Sequence, residues 1–192
     1  MEVAGEIITV GSSVKNFQIG DRVAALSQLS GYAEQAVVQE KSVFKIPSNM
    51  SFDDSCALLC AYGTSHYALK QRAQLQKNEL LVVLGASGST GIAAIQIGKI
   101  IGAKVIAVAS NGEKQKIAEE NGADLSIGYD NLKEKLKEIS GGKGIDVIFD
   151  PVGGDTFDTI ARTMARKGRL LVIGFASGSI PKLAVNLALV KE

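Results

Sequence analysis

Residues 80–98 read LLVVLGASGSTGIAAIQIG. Gly85, Gly88 and Gly91 fall three apart, with Ser87, Ser89 and Thr90 between them. An apolar run leads into this cluster and an Ile/Ala-rich run leaves it, the outline of a strand, a small-residue loop and a helix. The chemistry such a turn can perform is holding phosphate. Small residues let the backbone approach an anion, and the first amides of the helix, with its partial positive charge, face it. In the register of the fingerprint Gly-x-Gly-x-x-Gly the match is Ala86-Ser87-Gly88-Ser89-Thr90-Gly91, with Ala in the place of the first Gly. The same glycines would also serve a turn that only packs a helix on a sheet, so the surrounding elements must decide.

Two other phosphate-handling patterns do not fit. A nucleoside triphosphate loop needs GxxxxGK; counted from Gly85, its second Gly falls on Thr90 and its Lys on Gly91. Short-chain dehydrogenases pair loops like GASGSTG with a Tyr-x-x-x-Lys, and Tyr129-x-x-x-Lys133 is present. Their loop opens the chain, however, whereas more than eighty residues precede it here, and Tyr129 comes too early for that catalytic helix.

The next strand tells dinucleotides apart. A site for NAD ends this strand in an acid that bonds the ribose 2′-hydroxyl. Here KVIAVA ends in Ser110-Asn111-Gly112, with no carboxylate at the tip. Ser110 can donate to a 2′-phosphate and Lys114, a turn further on, can neutralise it, which favours NADPH. Ser110-x-x-Glu113 also reads as a capping box, and Lys114 as a solvated lysine; a capping hydroxyl would still border the site.

These residues need a scaffold, and the pattern after residue 50 supplies one. Leu80–Leu84, Lys104–Ala109, Leu125–Ile127, Ile145–Asp150 and Arg169–Gly174 read as strands. Thr90–Ile101, Glu113–Glu120, Leu132–Ile139 and Thr156–Ala165 read as helices between them. Strands that are apolar throughout, alternating with helices, predict an α/β fold with a parallel, doubly wound sheet. Before residue 50 the chain is different: EIITV, DRVAAL, YAEQAVV and SVFKI are short β-type runs punctuated by Gly and Pro. The expected division is therefore 1–50, part of a β-rich unit, and 51–192, the dinucleotide domain. In the connecting segment Ser51 and Asp54 form a capping box, and Gly63 predicts a break before a second helix carrying His66 and Tyr67. The usual strand order wants a further strand after RLLVIGFASG, so pieces are expected to be missing at both ends.

Bulk properties narrow the class. Of 192 residues 46% are hydrophobic, enough for a sizeable core. A net charge of +1 with both signs interspersed disfavours a dedicated nucleic-acid binder. Cys56 and Cys60 are the two cysteines, too few for a disulfide framework, which points to a reducing compartment. No run is long and apolar enough for a membrane helix. The N-terminus shows no targeting leader, so a cytoplasmic location is expected, or a mitochondrial one if a leader lies upstream.

EVAGEIITVGSSVKNFQIGDRVAAL, GYAEQAVV, VLGASGSTGIAAIQIGK, NGAD, DVIFDPVGGD and GRLLVIGFASG, in this order, resemble the zinc-independent quinone oxidoreductases of the medium-chain dehydrogenase/reductase superfamily. The resemblance implies a GroES-like β-rich catalytic domain and a Rossmann domain, with NADPH in the cleft between and a quinone or α,β-unsaturated carbonyl as hydride acceptor. It also implies a homodimer or larger assembly. Carried over residue by residue, Thr64 falls near the nicotinamide ribose and Ser87, Gly88, Ser89, Thr90 and Gly91 on the pyrophosphate turn. Ser110, Lys114 and Tyr129 fall around the 2′-phosphate, Val152 on a ribose or adenine contact, and Phe175, Ala176 and Ser177 beside the carboxamide.

The first part of the family's catalytic domain and the end of its Rossmann domain have no counterpart here. The resemblance therefore leaves a second possibility: a catalytically inactive dinucleotide-binding or dimerising fragment that senses NADPH or binds a partner or RNA. Zinc-dependent relatives place a ligand Cys where Cys60 stands, but Met1-Glu2 occupies the place of their His-Glu pair, and no metal is expected. No acid–base pair stands out, so no catalytic side chain is assigned.

Overall fold

The computed structural model describes residues 1–27, 29 and 31–191. The chain forms two compact units, Met1–Gly63 and Thr64–Glu192. In the first, β1 (Glu2–Glu6), β2 (Arg22–Leu26) and β3 (Val43–Lys45) make an antiparallel sheet in that order. Val23, Ala24 and Ala25 of β2 are its buried members. The run YAEQAVV is not a strand: it passes through a series of bends, and Tyr32 and Val37 are fully exposed. No strand among the described residues pairs with it, and an isolated β-type segment does not hold a ladder.

Helix α1 (Phe52–His66) begins as its sequence indicates: the Asp54 amide donates to Ser51 Oγ at 3.0 Å, and the Ser51 hydroxyl donates to the Asp54 carboxylate at 2.7 Å. It then runs through Gly63 without the expected break. A methyl at Gly63 would meet nothing within 4 Å, so this glycine marks neither a turn nor a close approach. The change of geometry comes later, where Tyr67–Arg72 widens into a π-helical turn closed by Ala73 N–H to the Ala68 carbonyl at 2.8 Å.

The second unit is built on β4 (Leu80–Leu84), α2 (Ser89–Ile101), β5 (Lys104–Val108), α3 (Gly112–Glu120), β6 (Leu125–Ile127), α4 (Leu132–Ile139), β7 (Ile145–Asp150), α5 (Thr156–Thr163), β8 (Met164–Val172) and α6 (Val185–Lys191). Its five strands are parallel in the order β6-β5-β4-β7-β8. Alternate residues of each central strand point to opposite faces. Leu81 and Val83, with Val105, Ala107 and Phe149, form one core under Ala94 and Ile95 of α2 and Ala118 of α3. Val82 and Leu84, with Ile106, Val108 and Ile148, form another under Leu132 and Leu136 of α4 and Phe157 and Ile160 of α5. Helices on both faces make the sheet doubly wound, a Rossmann-type α/β fold that follows the antiparallel β unit in the chain.

Two local features differ from the sequence pattern. Helix α5 stops at Thr163, not Ala165, and β8 starts at Met164, five residues before the apolar run at Arg169. Gly144 permits this path, because its missing side chain lets the Ala165 backbone lie 2.6 Å from its Cβ position; Met164 pairs with Ile145, and the chain bulges before Arg169 pairs with Val147 of β7. The cap of α3 is Asn111, not Ser110: Asn111 Oδ1 accepts from the Lys114 amide at 2.9 Å. The shift by one residue frees the Ser110 hydroxyl from the helix. Among the described residues no helix is long and apolar enough to cross a membrane.

Candidate functional site

The glycine turn closes on Gly85. Gly85 has φ +56, a conformation that favours glycine, and the Gly88 amide donates to its carbonyl at 2.9 Å. Ala86, at the position of the fingerprint's first Gly, is fully buried and does not take a left-handed conformation. The left-handed residue is one step earlier, so alanine fits without strain. Gly91 is the close approach: a methyl there would lie 2.5 Å from Gly85 O and 2.9 Å from Ala86 Cα. Helix α2 therefore starts hard against the end of β4.

Gly88 caps α2 in an extended conformation and offers no side chain to its free amides. The first intrahelical bond onto it comes from Ile92 N–H, at 2.8 Å. The amides of Ser89, Thr90 and Gly91 thus have no carbonyl of their own turn to serve. With Gly88 and Ser89 exposed and Ser87 and Thr90 half-buried, three hydroxyls border the same amides. This donor set suits the two phosphates of a pyrophosphate. Thr64 is half-buried in the last turn of α1, and the adjacent buried Ser65 donates to the Thr90 carbonyl at 2.9 Å, tying the Thr64 segment to the start of α2.

The other sequence-derived residues lie just after β5, β6, β7 and β8, on the connecting loops or, for Lys114, in the first turn of α3, at the carboxyl end of the sheet where open α/β folds bind ligands. Tyr129 Oη accepts from the Gly85 amide at 3.1 Å. Val152 Cγ2 stands 3.1 Å from the Cβ position of Gly85. The Ser177 amide donates to the Val152 carbonyl at 3.0 Å and the Ala176 amide to Pro151, also at 3.0 Å. Phe175 lies 3.1 Å from the Cβ position of Gly153. Val152, Phe175, Ala176 and Ser177 are thus held as one layer beside the turn. Ser110 and Lys114 are both exposed at the end of β5 and the first turn of α3. No hydrogen bond or ion pair joins their side chains to each other or to the turn among the described residues, which leaves both groups open to an anion.

The sequence pattern did not single out Asp150. It is fully buried at the end of β7, and its Oδ1 accepts from the amides of Val152 at 2.8 Å and Gly153 at 2.9 Å. It therefore fixes the turn that carries Val152. Its Oδ2 is buried without a partner among the described residues. The readable signal was the segment DPVGG, an Asp opening a Pro/Gly turn. The Tyr129 phenol is pushed above its ordinary 10.0 by burial and by the charge of Asp150, against the opposing bond from the Gly85 amide. It stays neutral, able to accept from Gly85.

The chain matches the family model of the zinc-binding dehydrogenases over residues 89–192, and that of the alcohol dehydrogenase GroES-like domain over residues 1–48. It is 41% identical over 195 residues to a quinone oxidoreductase-like protein 2 homolog of Nematostella vectensis, covering 100% of this chain and 53% of that protein. The chain belongs to the quinone oxidoreductase family of the medium-chain dehydrogenase/reductases. Among solved structures of this family, the Escherichia coli quinone oxidoreductase complexed with NADPH superposes with a TM-score of 0.93 at 31% identity, covering 99% of this chain and 59% of that one. The quinone oxidoreductase of Pseudomonas syringae superposes with a TM-score of 0.92 at 32% identity, covering 99% and 59%. The chain spans about half the length of the curated relatives it matches. Although the family model is named for zinc, no group of three or more His, Cys, Asp or Glu stands together as metal ligands among the described residues. Glu2, at the place of the zinc relatives' His-Glu pair, accepts from the Cys60 amide at 2.6 Å.

Proposed function

We propose that this chain binds NADPH on the glycine turn and serves an oxidoreductase that reduces a quinone or an α,β-unsaturated carbonyl. The observation that carries it is the pairing of two donor sets. The free amides from Ser89 to Gly91 suit a pyrophosphate, and the acid-free tip of β5, with Ser110 and Lys114 exposed, suits a third phosphate. A carboxylate at that tip would repel the 2′-phosphate; a hydroxyl and an ammonium attract it.

Bound there, NADPH supplies the hydride. The chain's own residues bind and orient it. Ser87, Gly88, Ser89, Thr90 and Gly91 hold the pyrophosphate, and Ser110 and Lys114 the 2′-phosphate. Val152 contacts a ribose or the adenine. Phe175, Ala176 and Ser177 flank the carboxamide, and Thr64 the nicotinamide ribose. The Ser65–Thr90 bond keeps Thr64 in register with the turn.

Absorbance at 340 nm with NADPH and either a benzoquinone or an enone tests this reading. Steady oxidation of NADPH above the rate without protein is expected. Saturable binding of NADPH with no turnover would instead identify a dinucleotide-binding protein without reductase activity.

A further inference from the structure

Tyr129 follows β6, yet its hydroxyl serves the end of β4, two strands away in the order β6-β5-β4. Gly85 lies one step beyond β4; the next amide, that of Ala86, still reaches the Val108 carbonyl of β5 at 3.2 Å, but among the described residues no backbone carbonyl accepts from the Gly85 amide. Tyr129 Oη takes that place at 3.1 Å. Every other part of the turn is measured from Gly85. Its carbonyl accepts from Gly88, stands 2.5 Å from the Cβ position of Gly91, and so sets where α2 begins. Its own Cβ position faces Val152 Cγ2 at 3.1 Å, which sets the distance to the layer after β7. The phenol ring cannot drift, because it packs on the core of Val82, Leu84, Ile106 and Val108.

We propose that Tyr129 is a positioning residue: through the Gly85 amide it fixes the glycine turn, and so governs the affinity of that turn for any dinucleotide, NADH as well as NADPH. This differs from a contact with the 2′-phosphate, which would matter for NADPH alone. It rests on the reading of the turn as a dinucleotide site.

Tyr129→Phe tests it, since the ring and its packing stay while the Gly85 amide loses its acceptor. In the nucleotide-free protein, the ¹H–¹⁵N resonances of Gly85, Gly88 and Gly91 are expected to shift. The Kd values for NADPH and NADH are expected to rise by the same factor, about tenfold, the loss of one hydrogen bond that leaves its partner unpaired. By contrast, Ser110→Ala with Lys114→Ala should weaken NADPH alone. Unmoved glycine resonances would overturn the proposal, as would a loss in Tyr129→Phe confined to NADPH. Hydrogen exchange in the unaltered protein checks the bond without any substitution: the Gly85 amide should exchange slowly, and fast exchange would overturn the proposal. Should the unaltered protein bind neither nucleotide, the reading of the turn as a dinucleotide site fails, and the glycine resonances and the exchange rate still decide whether Tyr129 holds the turn.

Discussion

A methyl group at Gly91 would sit against the Gly85 carbonyl and the Ala86 backbone, both parts of the main chain that cannot swing aside. Gly91→Ala therefore forces α2 away from β4. Overpacking of this kind costs about 1–3 kcal/mol, and a urea unfolding curve should show a lower midpoint with the same slope. An unchanged midpoint would contradict the tight turn described here. Ser110 and Lys114 carry a different consequence, because they are exposed and their side chains hold nothing else in place. Replacing both by Ala should leave stability within about 0.5 kcal/mol while raising the Kd for NADPH by about tenfold or more. A stability loss as large as that of Gly91→Ala would show that the pair is structural.

At the level of elements, one ion pair joins distant parts of the second unit. Arg169 of β8 contacts Glu79, just before β4, through Nη1 at 2.9 Å and Nη2 at 2.6 Å. Its Nε donates to the Ala73 carbonyl at 2.9 Å. Arg169→Ala leaves Glu79 half-buried without its partner, and should cost about 1–3 kcal/mol. Burial raises the Glu79 pKa, but the bonds from Arg169 and the Gln76 amide outweigh it and hold the carboxyl below its ordinary 4.5. A carboxyl that titrates lower in the folded state adds stability that is complete above its unfolded value and lost as pH falls through its folded value. Urea midpoints measured from about pH 6 down to about pH 3 should therefore fall less steeply in Arg169→Ala than in the unaltered protein. Parallel profiles would remove Glu79 from the acid response.

The elements themselves were largely legible. The apolar runs that became β4 and β7 have both faces covered by helices, and such strands announce themselves by composition alone. What escaped depended on contacts remote in sequence. Nothing in the segment MARKG says that it will lie beside Gly144, nor in Gly63 that its surroundings leave α1 free to continue. Ser110 and Asn111 are both good helix caps, and only the path of the chain after β5 chose Asn111. In the site, the glycine turn was read from its spacing, and the clamp of Asp150 on Val152 and Gly153 lies within one local turn that DPVGG signals, whereas the bond from Gly85 to Tyr129 joins separate loops and carries no local pattern.

For the whole molecule, the resemblance in sequence and the superposition agree on the family, and the glycine turn, Ser110 and Lys114 all follow strands at the carboxyl end of the sheet. Turnover with a quinone or an enone asks about the reaction; affinity asks about the site on which the reaction depends. The most direct test is calorimetric titration of the protein with NADPH and with NADH under identical buffer and salt. NADPH should bind at one site and at least about tenfold more tightly than NADH, as expected for a charge-assisted contact made only by the 2′-phosphate. Equal or tighter binding of NADH, or no heat with either nucleotide, would contradict the assignment.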